Sequence, residues 1–356
     1  MPYQLLAVGD MHLGRRPSRI PGSLSARAAE LGPAAAWGRT VGWAVEHGVD
    51  AVLLAGDVVE GEEDFYEGYR QLHEGVARLA AAGITVLGVA GNHDVHVLPR
   101  LAAHVPGFTL LGAEGTWEAH ELEGGGEEIT VWGWSFPQRV VSTSPLRGRR
   151  LERGPGVNIG LLHCDLDRPA SPYAPVASAE IDGAGLDGWL LGHIHAPSPL
   201  SLDRPIGYLG SLTGLDPGER GRRGPWLVTV DGRRIRSIEP LALAPLRWEL
   251  IDVDVTDIPS VDLVRDALLE SVRRLDRSID DDGAPAGKGA SAVGVRVRFV
   301  GRTPFGGQLA RLLSDDDCGH IYGRSRHYFV EDVRVDVRPE IALEELSPRL
   351  FSFNSP

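Results

Sequence analysis

Cysteine and lysine are scarce in this sequence. The 356 residues include only Cys164 and Cys318, too few for a framework of disulfide bonds, and this favours a reducing compartment such as the cytoplasm. Lys288 is the only lysine, so arginine supplies nearly all of the positive charge. The net charge of −13 argues against the broad basic surface of a protein that coats nucleic acid, although local clusters of arginine remain.

Long apolar runs are also missing. No run approaches the roughly 20 apolar residues of a membrane-spanning helix, and the first residues, Met1-Pro2-Tyr3-Gln4, do not form the basic start of a signal peptide. We therefore expect a cytoplasmic protein without a membrane contact. Apolar residues still make up 42% of the chain, as in globular proteins. A chain of 356 residues is longer than the size at which a single hydrophobic core stops growing. One large domain and one smaller domain are expected.

The order of the hydrophobic patterns predicts an α/β fold. Up to about residue 95, strand-like and helix-like segments alternate, which is typical of a mainly parallel sheet covered by helices. From about Phe108, short strands separated by glycine-rich turns suggest an antiparallel second half. We therefore expect a two-sheet β-sandwich flanked by helices.

A change of pattern near Ala242–Pro245 marks a domain boundary. Beyond it, strand-like runs and one long helical pattern predict a smaller α+β domain without a chemical motif of its own, interrupted by a flexible loop at about 280–292. We assign residues 1–243 to the large domain, 246–340 to the small domain and 341–356 to a C-terminal tail.

Five short polar motifs follow apolar, strand-like runs along the chain. In order they are Gly9-Asp10-Met11-His12, Gly56-Asp57, Gly91-Asn92-His93-Asp94, His163 and Gly192-His193-Ile194-His195. The carboxyl ends of neighbouring strands form the usual ligand-binding edge of an α/β sheet, so these polar side chains are expected to converge there. Seven oxygen and nitrogen donors, without a thiolate, suit two hard or borderline divalent metals. The motifs together predict a binuclear centre that hydrolyses phosphate esters.

This prediction depends on the motifs as a set, because each motif alone is weak. A single aspartate or histidine is as often an ordinary surface or core residue as a ligand. Five motifs in a fixed order, all at the ends of strand-like runs, are hard to obtain by chance. The segments Gly91-Asn92-His93-Asp94 and Gly192-His193-Ile194-His195 are the most specific, since such combinations of donors rarely occur without a ligand role.

The motifs resemble those of the calcineurin-like metallophosphoesterases. Within that superfamily the chain is similar to the SbcD-type DNA double-strand-break repair exonucleases, including their YhaO-like branch. The resemblance covers roughly residues 4–211. It is carried by Gly9-Asp10-Met11-His12-Leu13-Gly14, by the run from Tyr173 to His195, and by Tyr208-Leu209-Gly210-Ser211 before a glycine- and arginine-rich segment. Residues 246–337 resemble, more loosely, the capping domain of such nucleases.

The resemblance implies a role for each motif residue. Asp10, His12 and His195 would hold one metal ion, Asn92, His163 and His193 the other, and Asp57 would bridge the two. Mn²⁺ is the expected ion, and iron and zinc are alternatives that the same ligands accept. His93 would be the general acid or would stabilise charge at the leaving oxygen, and Asp94 would orient the His93 ring.

Substrate contacts are predicted from residues near the first and last motifs. The candidates are Arg15, Arg16, Ser211, Arg222 and Arg223. Arginine can clamp a phosphate through two parallel hydrogen bonds, but a solvated surface loop is an equally good interpretation of any one cluster. The resemblance implies DNA as the substrate and an SbcC-like coiled-coil ATPase as a partner, and the sequence leaves a homodimer open.

Two departures from the family pattern bear on the substrate. Asp57 is followed by Val58-Val59-Glu60, where several relatives place a second histidine that helps to handle substrate, so that function is absent or supplied elsewhere. Gly61-Glu62-Glu63 stands where the protein-phosphatase branch has an arginine, which argues against a phosphoprotein substrate.

Three functions are compatible with these observations. The leading hypothesis is a metal-dependent DNA repair exonuclease, with endonuclease activity left open, that hydrolyses phosphodiester bonds by a two-metal mechanism. The alternative is a phosphodiesterase or phosphatase that acts on a small, nucleotide-type molecule at the same centre. A non-catalytic scaffold is disfavoured, because such proteins typically lose ligands, whereas the seven predicted ligands and His93 are all present here.

Overall fold

The computed structural model describes residues 2–282, 289–312, 320–322 and 326–339. The chain divides into two compact units, Met1–Arg247 with Asp282–Ser291, and Trp248–Asp281 with Ala292–Pro356. The predicted tail, residues 341–356, and the middle of the predicted flexible loop, residues 283–288, lie outside the described residues.

Strands and helices are numbered along the chain. The strands are β1 Tyr3–Val8, β2 Ala51–Ala55, β3 Thr85–Val89, β4 Phe108–Leu110, β5 Trp117–Gly124, β6 Glu127–Trp134, β7 Val157–His163, β8 Asp165–Leu166, β9 Pro175–Val176, β10 Gly188–Gly192, β11 Ile206–Tyr208, β12 Trp226–Val230, β13 Ile235–Pro240, β14 Leu246–Asp254, β15 Ala292–Arg302, β16 His320–Tyr322 and β17 His327–Arg338. The helices are α1 Ala28–Leu31, α2 Pro33–His47, α3 Phe65–Ala81, α4 Leu98–Ala102, α5 Ser178–Gly183, α6 Val261–Asp281 and α7 Gly306–Leu312. Within the described ranges, none of these helices has the length and apolar character needed to span a membrane.

The first unit is built on two large sheets. One has the strand order β13-β12-β1-β2-β3-β4, in which β1 to β4 are parallel and β12 and β13 are added in antiparallel fashion. The other has the order β11-β10-β7-β6-β5. Helices flank these sheets, so the predicted α/β sandwich is confirmed.

The second large sheet is mainly parallel, and the predicted antiparallel second half is wrong. Only β5 and β6 form a hairpin in this sheet, through Gly125 and Gly126, whose positive φ angles of 61° and 90° suit a two-residue turn. Strands β6, β7, β10 and β11 are parallel neighbours, and the connection from β7 to β10 contains β8, β9 and α5. Short apolar runs with glycine turns suit both arrangements, because a strand's direction depends on its connection.

Apolar residues of the two sheets meet in one core between them. Leu5 and Leu53 of the first sheet share this core with Val131 and Leu161 of the second. Strand β2 is buried at every position, since helices cover its other face. This explains why the strand reads as a continuous apolar run and not as an alternating pattern.

Helices α2 and α3 cover the outer face of the first sheet. Helix α2 begins at Pro33, where a missing N–H is tolerated, and ends where Gly48 adopts a left-handed φ of 64°. In α3, Leu72, Val76 and Leu79 recur at helical spacing and are buried in one cluster with the sheet. This packing holds the carboxyl ends of β1, β2 and β3, where three of the polar motifs begin.

In its described residues, the second unit contains a four-stranded sheet and the helices α6 and α7. Its strand order is β14-β15-β17-β16, with β15 and β17 parallel and β16 antiparallel to β17. The buried rings of Trp248 and Phe329 meet edge to face with their centroids 5.5 Å apart. Gly294 allows this contact, because a Cβ at that position would come within 2.0 Å of the Trp248 ring.

The contact between α2 and α3 gives a test of the packing. A Cβ added at Gly75 of α3 would lie 2.1 Å from Nε1 of the buried Trp37 of α2. We therefore expect Gly75→Ala to lower the free energy of unfolding by about 1–3 kcal/mol, the usual cost of overpacking. Gly38→Ala in α2 is the matched control, since a Cβ there meets nothing within 4 Å, and it should stabilise the helix by about 0.5–1 kcal/mol. Urea unfolding measures both changes, and equal effects would contradict the described packing.

Candidate metal centre

The seven predicted ligands lie at the carboxyl ends of five strands. Asp10 and His12 follow β1, Asp57 follows β2, Asn92 follows β3, His163 ends β7, and His193 and His195 follow β10. Donor atoms of Asp10, His12 and His195 lie within 4.8 Å of one another, and so do those of Asp10, Asp57 and His163. Both large sheets therefore contribute to one cluster of potential metal ligands.

Asp57 lies between two groups of nitrogen and oxygen donors. Its Oδ2 is 3.3 Å from His163 Nε2 and 3.9 Å from His12 Nε2. On one side, His12 Nε2 lies 3.0 Å from His195 Nε2. On the other side, His163 Nε2 lies 3.1 Å from Asn92 Oδ1. The carboxylate of Asp57 is thus the group through which both donor sets come together.

The buried oxygen of Asp10 provides a test of whether the cluster fits a cation. Asp10 is 1% exposed, and no hydrogen-bond donor among the described residues reaches its Oδ2. Its Oδ1 accepts the backbone N–H of His193 at 2.9 Å. Burial of a carboxylate oxygen without a partner is costly, and a divalent cation held with His12 and His195 removes that cost. The donor set therefore fits divalent metal ions.

Three of the predicted ligand histidines have an oxygen atom close to their outward nitrogen. His12 Nδ1 lies 2.7 Å from Glu60 Oε2, and His195 Nδ1 lies 2.7 Å from Glu219 Oε1. His163 Nδ1 lies 3.0 Å from the carbonyl oxygen of Ala55. The hydrogen-bonded partners of His195 and His163 are of the kind that fixes the orientation and tautomer of a metal-binding imidazole, and Glu60 places a carboxylate beside the His12 ring. The positions of Glu60 and Glu219 beside these rings could not be predicted from the sequence, because both residues reach the site from loops.

His193 has a different environment from the other three histidines. Its Nε2 lies 3.4 Å from Oδ2 of the buried Asp165, and the Tyr173 ring lies against it with the centroids 5.1 Å apart. Burial, followed by the charge of His163, holds the pKa of His193 below its usual value. Asp165 was also missed by the sequence analysis, although it closely follows His163 in the chain.

Several of the predicted ligands have strained backbones. The φ angle is 33° at Asp10, 50° at His12, 48° at Asp57 and 101° at His193. A non-glycine residue in this region costs on the order of 1–3 kcal/mol, and such strain persists where the surrounding structure enforces it. Glycine is required at position 91 for a steric reason, since a Cβ there would lie 2.1 Å from Asp57 Oδ1. The strained residues and the close contact at Gly91 thus lie at the cluster of predicted ligands.

Asp57 and His163 behave as a charged pair. Burial disfavours the ionised form of Asp57, but the charge and hydrogen bond of His163, together with His12, hold its pKa far below the usual range. Burial likewise opposes the charged form of His163, yet Asp57 raises the pKa of His163 to about 9. A cation must displace this proton, so metal binding at the cluster competes with protonation.

The geometry does not match the prediction that Asp94 orients His93. The buried carboxylate of Asp94 accepts backbone N–H groups from Gly91 at 2.8 Å and from Val58 at 2.7 Å. Burial and the charge of Asp57 raise the pKa of Asp94 to about 7. Asp94 therefore joins the loops that follow β2 and β3. The carboxylate that faces the His93 ring is Glu60, with Oε1 3.7 Å from Nδ1.

Most of the residues predicted to contact substrate form hydrogen bonds or ion pairs with other residues of the protein. The guanidinium of the buried Arg223 donates to the His195 carbonyl oxygen, and Arg15 pairs with Asp216 at 2.9 Å. Arg222 donates to the backbone oxygen of Asp282 at 3.0 Å, and the Ser211 hydroxyl donates to Glu219 at 2.7 Å. Arg16 is exposed. Substrate binding by these five residues stays a prediction.

Comparison with known proteins identifies the family. The sequence model of the calcineurin-like phosphoesterases matches residues 3–197, more than half of the chain and a range that includes all five motifs. The chain belongs to this family. The predicted membership of the superfamily is thereby confirmed, and a phosphoesterase activity is supported. The SbcD-type specificity stays a prediction.

Two curated relatives match this phosphoesterase over part of their length. The uncharacterized metallophosphoesterase YhaO of Bacillus subtilis is 27% identical over 265 residues, which cover 73% of this chain and 62% of YhaO. The DNA double-strand break repair protein Mre11 of Methanopyrus kandleri is 24% identical over 246 residues, which cover 63% of this chain and 53% of Mre11. The phosphoesterase therefore spans less than two thirds of either relative.

Solved structures also resemble this phosphoesterase. The calcineurin-like phosphoesterase YfkN from Bacillus subtilis is 14% identical, with a TM-score of 0.39 over 78% of this chain and 98% of that chain. A dimetal phosphatase from Danio rerio is 13% identical, with a TM-score of 0.41 over 65% of this chain and 94% of that chain.

Metal binding should stabilise the fold through Asp57. We expect Mn²⁺ at a hundred times its Kd to stabilise the metal-free protein by about 2.7 kcal/mol for each occupied site. Asp57→Asn should lose most of this gain, because the amide still accepts the His93 N–H but no longer supplies a charge between the donor sets. Thermal unfolding with and without Mn²⁺ after dialysis against EDTA measures the effect.

The control for this measurement is Asp203→Asn. Asp203 is exposed in the loop between β10 and β11, so its replacement should leave the Mn²⁺-dependent stabilisation unchanged. A wild-type gain in the Asp57→Asn variant would show that Asp57 is not a metal ligand.

Proposed function

We propose that this phosphoesterase is a metal-dependent DNA repair nuclease, an exonuclease with endonuclease activity left open, that hydrolyses phosphodiester bonds at a two-metal centre. The proposal is carried by the convergence of buried donors on Asp57 with the exposed ring of His93 beside them. Family membership supports phosphoester hydrolysis. The partial match to a relative named as a DNA double-strand break repair protein supports DNA as the substrate.

The proposed ligands form two sets that share one carboxylate. Asp10, His12 and His195 would hold one ion, Asn92, His163 and His193 the other, and Asp57 would contact both. When bound, two divalent ions lower the pKa of the attacking water and neutralise charge on the phosphoryl oxygens. Mn²⁺ is the proposed ion, and carboxylate, amide and imidazole donors are compatible with it.

We propose that His93 gives a proton to the leaving oxygen. Its backbone N–H donates to Asp57 Oδ1 at 3.0 Å, which ties its position to the centre. Its side chain is 43% exposed, and its ring packs edge-on against His12 with the centroids 5.2 Å apart. A general acid needs this combination of access to substrate and a fixed position. Glu60 faces the same ring, and we propose that it supplies the function for which several relatives use a second histidine.

A partner and a location complete the proposal. The resemblance to SbcD-type nucleases supports an SbcC-like coiled-coil ATPase as the partner in DNA processing. The low cysteine content supports a reducing compartment, and we propose the cytoplasm.

A small-molecule phosphodiesterase or phosphatase is the second candidate. Two observations favour it. The net charge of −13 opposes attraction of a polyanion, and Arg15, Arg222 and Arg223 each bond to an oxygen atom of the protein. A small nucleotide-type substrate needs few cationic contacts, whereas DNA is usually held by many.

Replacement of His93 by alanine separates acid catalysis from metal binding. We expect the His93→Ala variant to bind Mn²⁺ as the wild type does, but to cleave DNA about 10²–10⁴-fold more slowly, the usual contribution of a general acid. Hydrolysis of bis-p-nitrophenyl phosphate should fall less, because p-nitrophenolate leaves readily without a proton. End-labelled linear DNA and the release of p-nitrophenolate measure the two rates.

His96→Ala is the matched control, because His96 is an exposed histidine close by in the chain. Its rates should equal those of the wild type. Retained DNA cleavage in His93→Ala would remove His93 from the mechanism. Hydrolysis of the small diester by a wild-type protein that leaves DNA intact would favour the small-molecule candidate.

The exposed arginines after the first motif test the substrate class. Arg16 and Arg19 are exposed in the segment that follows His12. If they contact DNA phosphates, Arg16→Ala with Arg19→Ala should reduce the slope of log Kobs against log salt concentration by about 1 for each lost contact. Binding to linear DNA at several salt concentrations measures the slope, in a His93→Ala background that keeps the DNA intact.

Arg78→Ala is the control for charge alone, since Arg78 is exposed near the end of α3, which leads to the start of β3 and not to its carboxyl end. It should leave the slope unchanged. DNA binding that does not vary with salt would contradict a nuclease that follows the phosphate backbone.

A further inference from the structure

Glu219 contacts one ligand histidine on the side opposite to the metal cluster. Its Oε1 accepts a hydrogen bond from His195 Nδ1 at 2.7 Å, while His195 Nε2 lies 3.0 Å from His12 Nε2. The Glu219 side chain is 12% exposed. A carboxylate that accepts the Nδ1 proton leaves the lone pair of Nε2 free to bind a metal.

Both oxygens of Glu219 are engaged, so the side chain has a fixed position. Its Oε2 accepts the Ser211 hydroxyl at 2.7 Å and the Leu215 backbone N–H at 3.0 Å. Ser211 in turn donates its backbone N–H to the His195 carbonyl oxygen at 3.0 Å and forms a bridge with Gly9, directly before Asp10. The carboxylate is therefore oriented by contacts within the protein.

The segment of residues 211–223 holds His195 at a second point. The Arg223 guanidinium donates to the His195 carbonyl oxygen. Asp216 accepts hydrogen bonds from Arg15 and Ser18, which ties the same segment to the residues that follow His12. The backbone of His195 is thus held by Arg223 and Ser211, and its ring is held by Glu219.

The ring of His195 needs such support more than that of His12. The His195 side chain is 25% exposed, whereas that of His12 is 1% exposed. Close packing limits rotation of the His12 ring, but a partly exposed imidazole retains freedom about its side-chain torsions. The hydrogen bond to Glu219 supplies the constraint that packing does not.

We infer that Glu219 is a positioning residue that sets the affinity of the metal position formed by Asp10, His12 and His195. This inference rests on the proposed two-metal centre. Glu219 acts through His195 and touches neither metal nor substrate. The position that contains Asn92, His163 and His193 has no contact with Glu219 among the described hydrogen bonds and ion pairs, so its affinity should not depend on Glu219.

The test is Mn²⁺ binding to the metal-free full chain at one pH, followed by calorimetry and by the electron paramagnetic resonance signal of free Mn²⁺. We expect the wild type to bind two ions. In Glu219→Ala, one of the two should bind roughly 10- to 100-fold more weakly, the usual effect of losing an outer partner of a ligand, while the other keeps its affinity. Glu219→Gln keeps a hydrogen-bond acceptor but loses the charge. The Mn²⁺ affinity of its weaker site should therefore lie between the affinities of that site in the wild type and in Glu219→Ala.

Glu118→Ala is the matched control, because Glu118 also accepts a backbone N–H, from Gly112 at 2.9 Å, but contacts none of the proposed ligands. It should bind two ions with wild-type affinities. Thermal unfolding of the metal-free variants identifies any loss of fold, and Glu219→Gln retains the test if Glu219→Ala does not fold.

Two results would overturn the inference alone: wild-type affinities at both positions in Glu219→Ala and Glu219→Gln, or an equal loss at both positions. A wild-type protein that binds fewer than two ions would instead overturn the proposed two-metal centre, and the inference with it.

Discussion

The position of Asp57 is the constraint on which the rest of the centre depends. This carboxylate lies at the end of a fully buried strand, and it is 3.3 Å from His163 of the opposite sheet and 3.9 Å from His12 of its own sheet. Burial of a charge is tolerated only with compensating groups. The two sheets must therefore meet with their strand ends aligned, and the backbones of Asp10 and Asp57 at these ends are strained.

A second layer of oxygen atoms surrounds the inner donors. Glu60 and Glu219 face the outward nitrogens of His12 and His195, and a backbone carbonyl does the same for His163. The inner donors come from strand ends, which are rigid, whereas the two glutamates come from loops. The arrangement orients the imidazole rings through contacts within the protein, and such preorganisation lets a site bind metal and substrate without first reordering its side chains.

Prediction from the sequence succeeded where the structure of a segment follows from the residues of that segment. Alternation of apolar runs and helical patterns indicated the parallel first sheet and its covering helices, since burial imposes those periods on the chain itself. The direction of the later strands was misjudged, because it depends on the path of long connections. The adjacency of Asp94 and His93 in the chain predicted that Asp94 orients the His93 ring, yet the Asp94 side chain accepts the backbone N–H groups of Gly91 and Val58.

The sequence by itself determined the kinds of donor, their order along the chain and their place at strand ends, because these depend on local pattern. Only the tertiary structure decided which side chains meet. Glu219 reaches His195 from a loop and Asp165 reaches His193 from the two-residue strand β8, and no periodicity of the sequence encodes either contact. The commitment of Arg15 and Arg223 to oxygen atoms of the protein is likewise a tertiary property. A flexible side chain can find its partner only after the fold has brought distant segments within hydrogen-bonding distance.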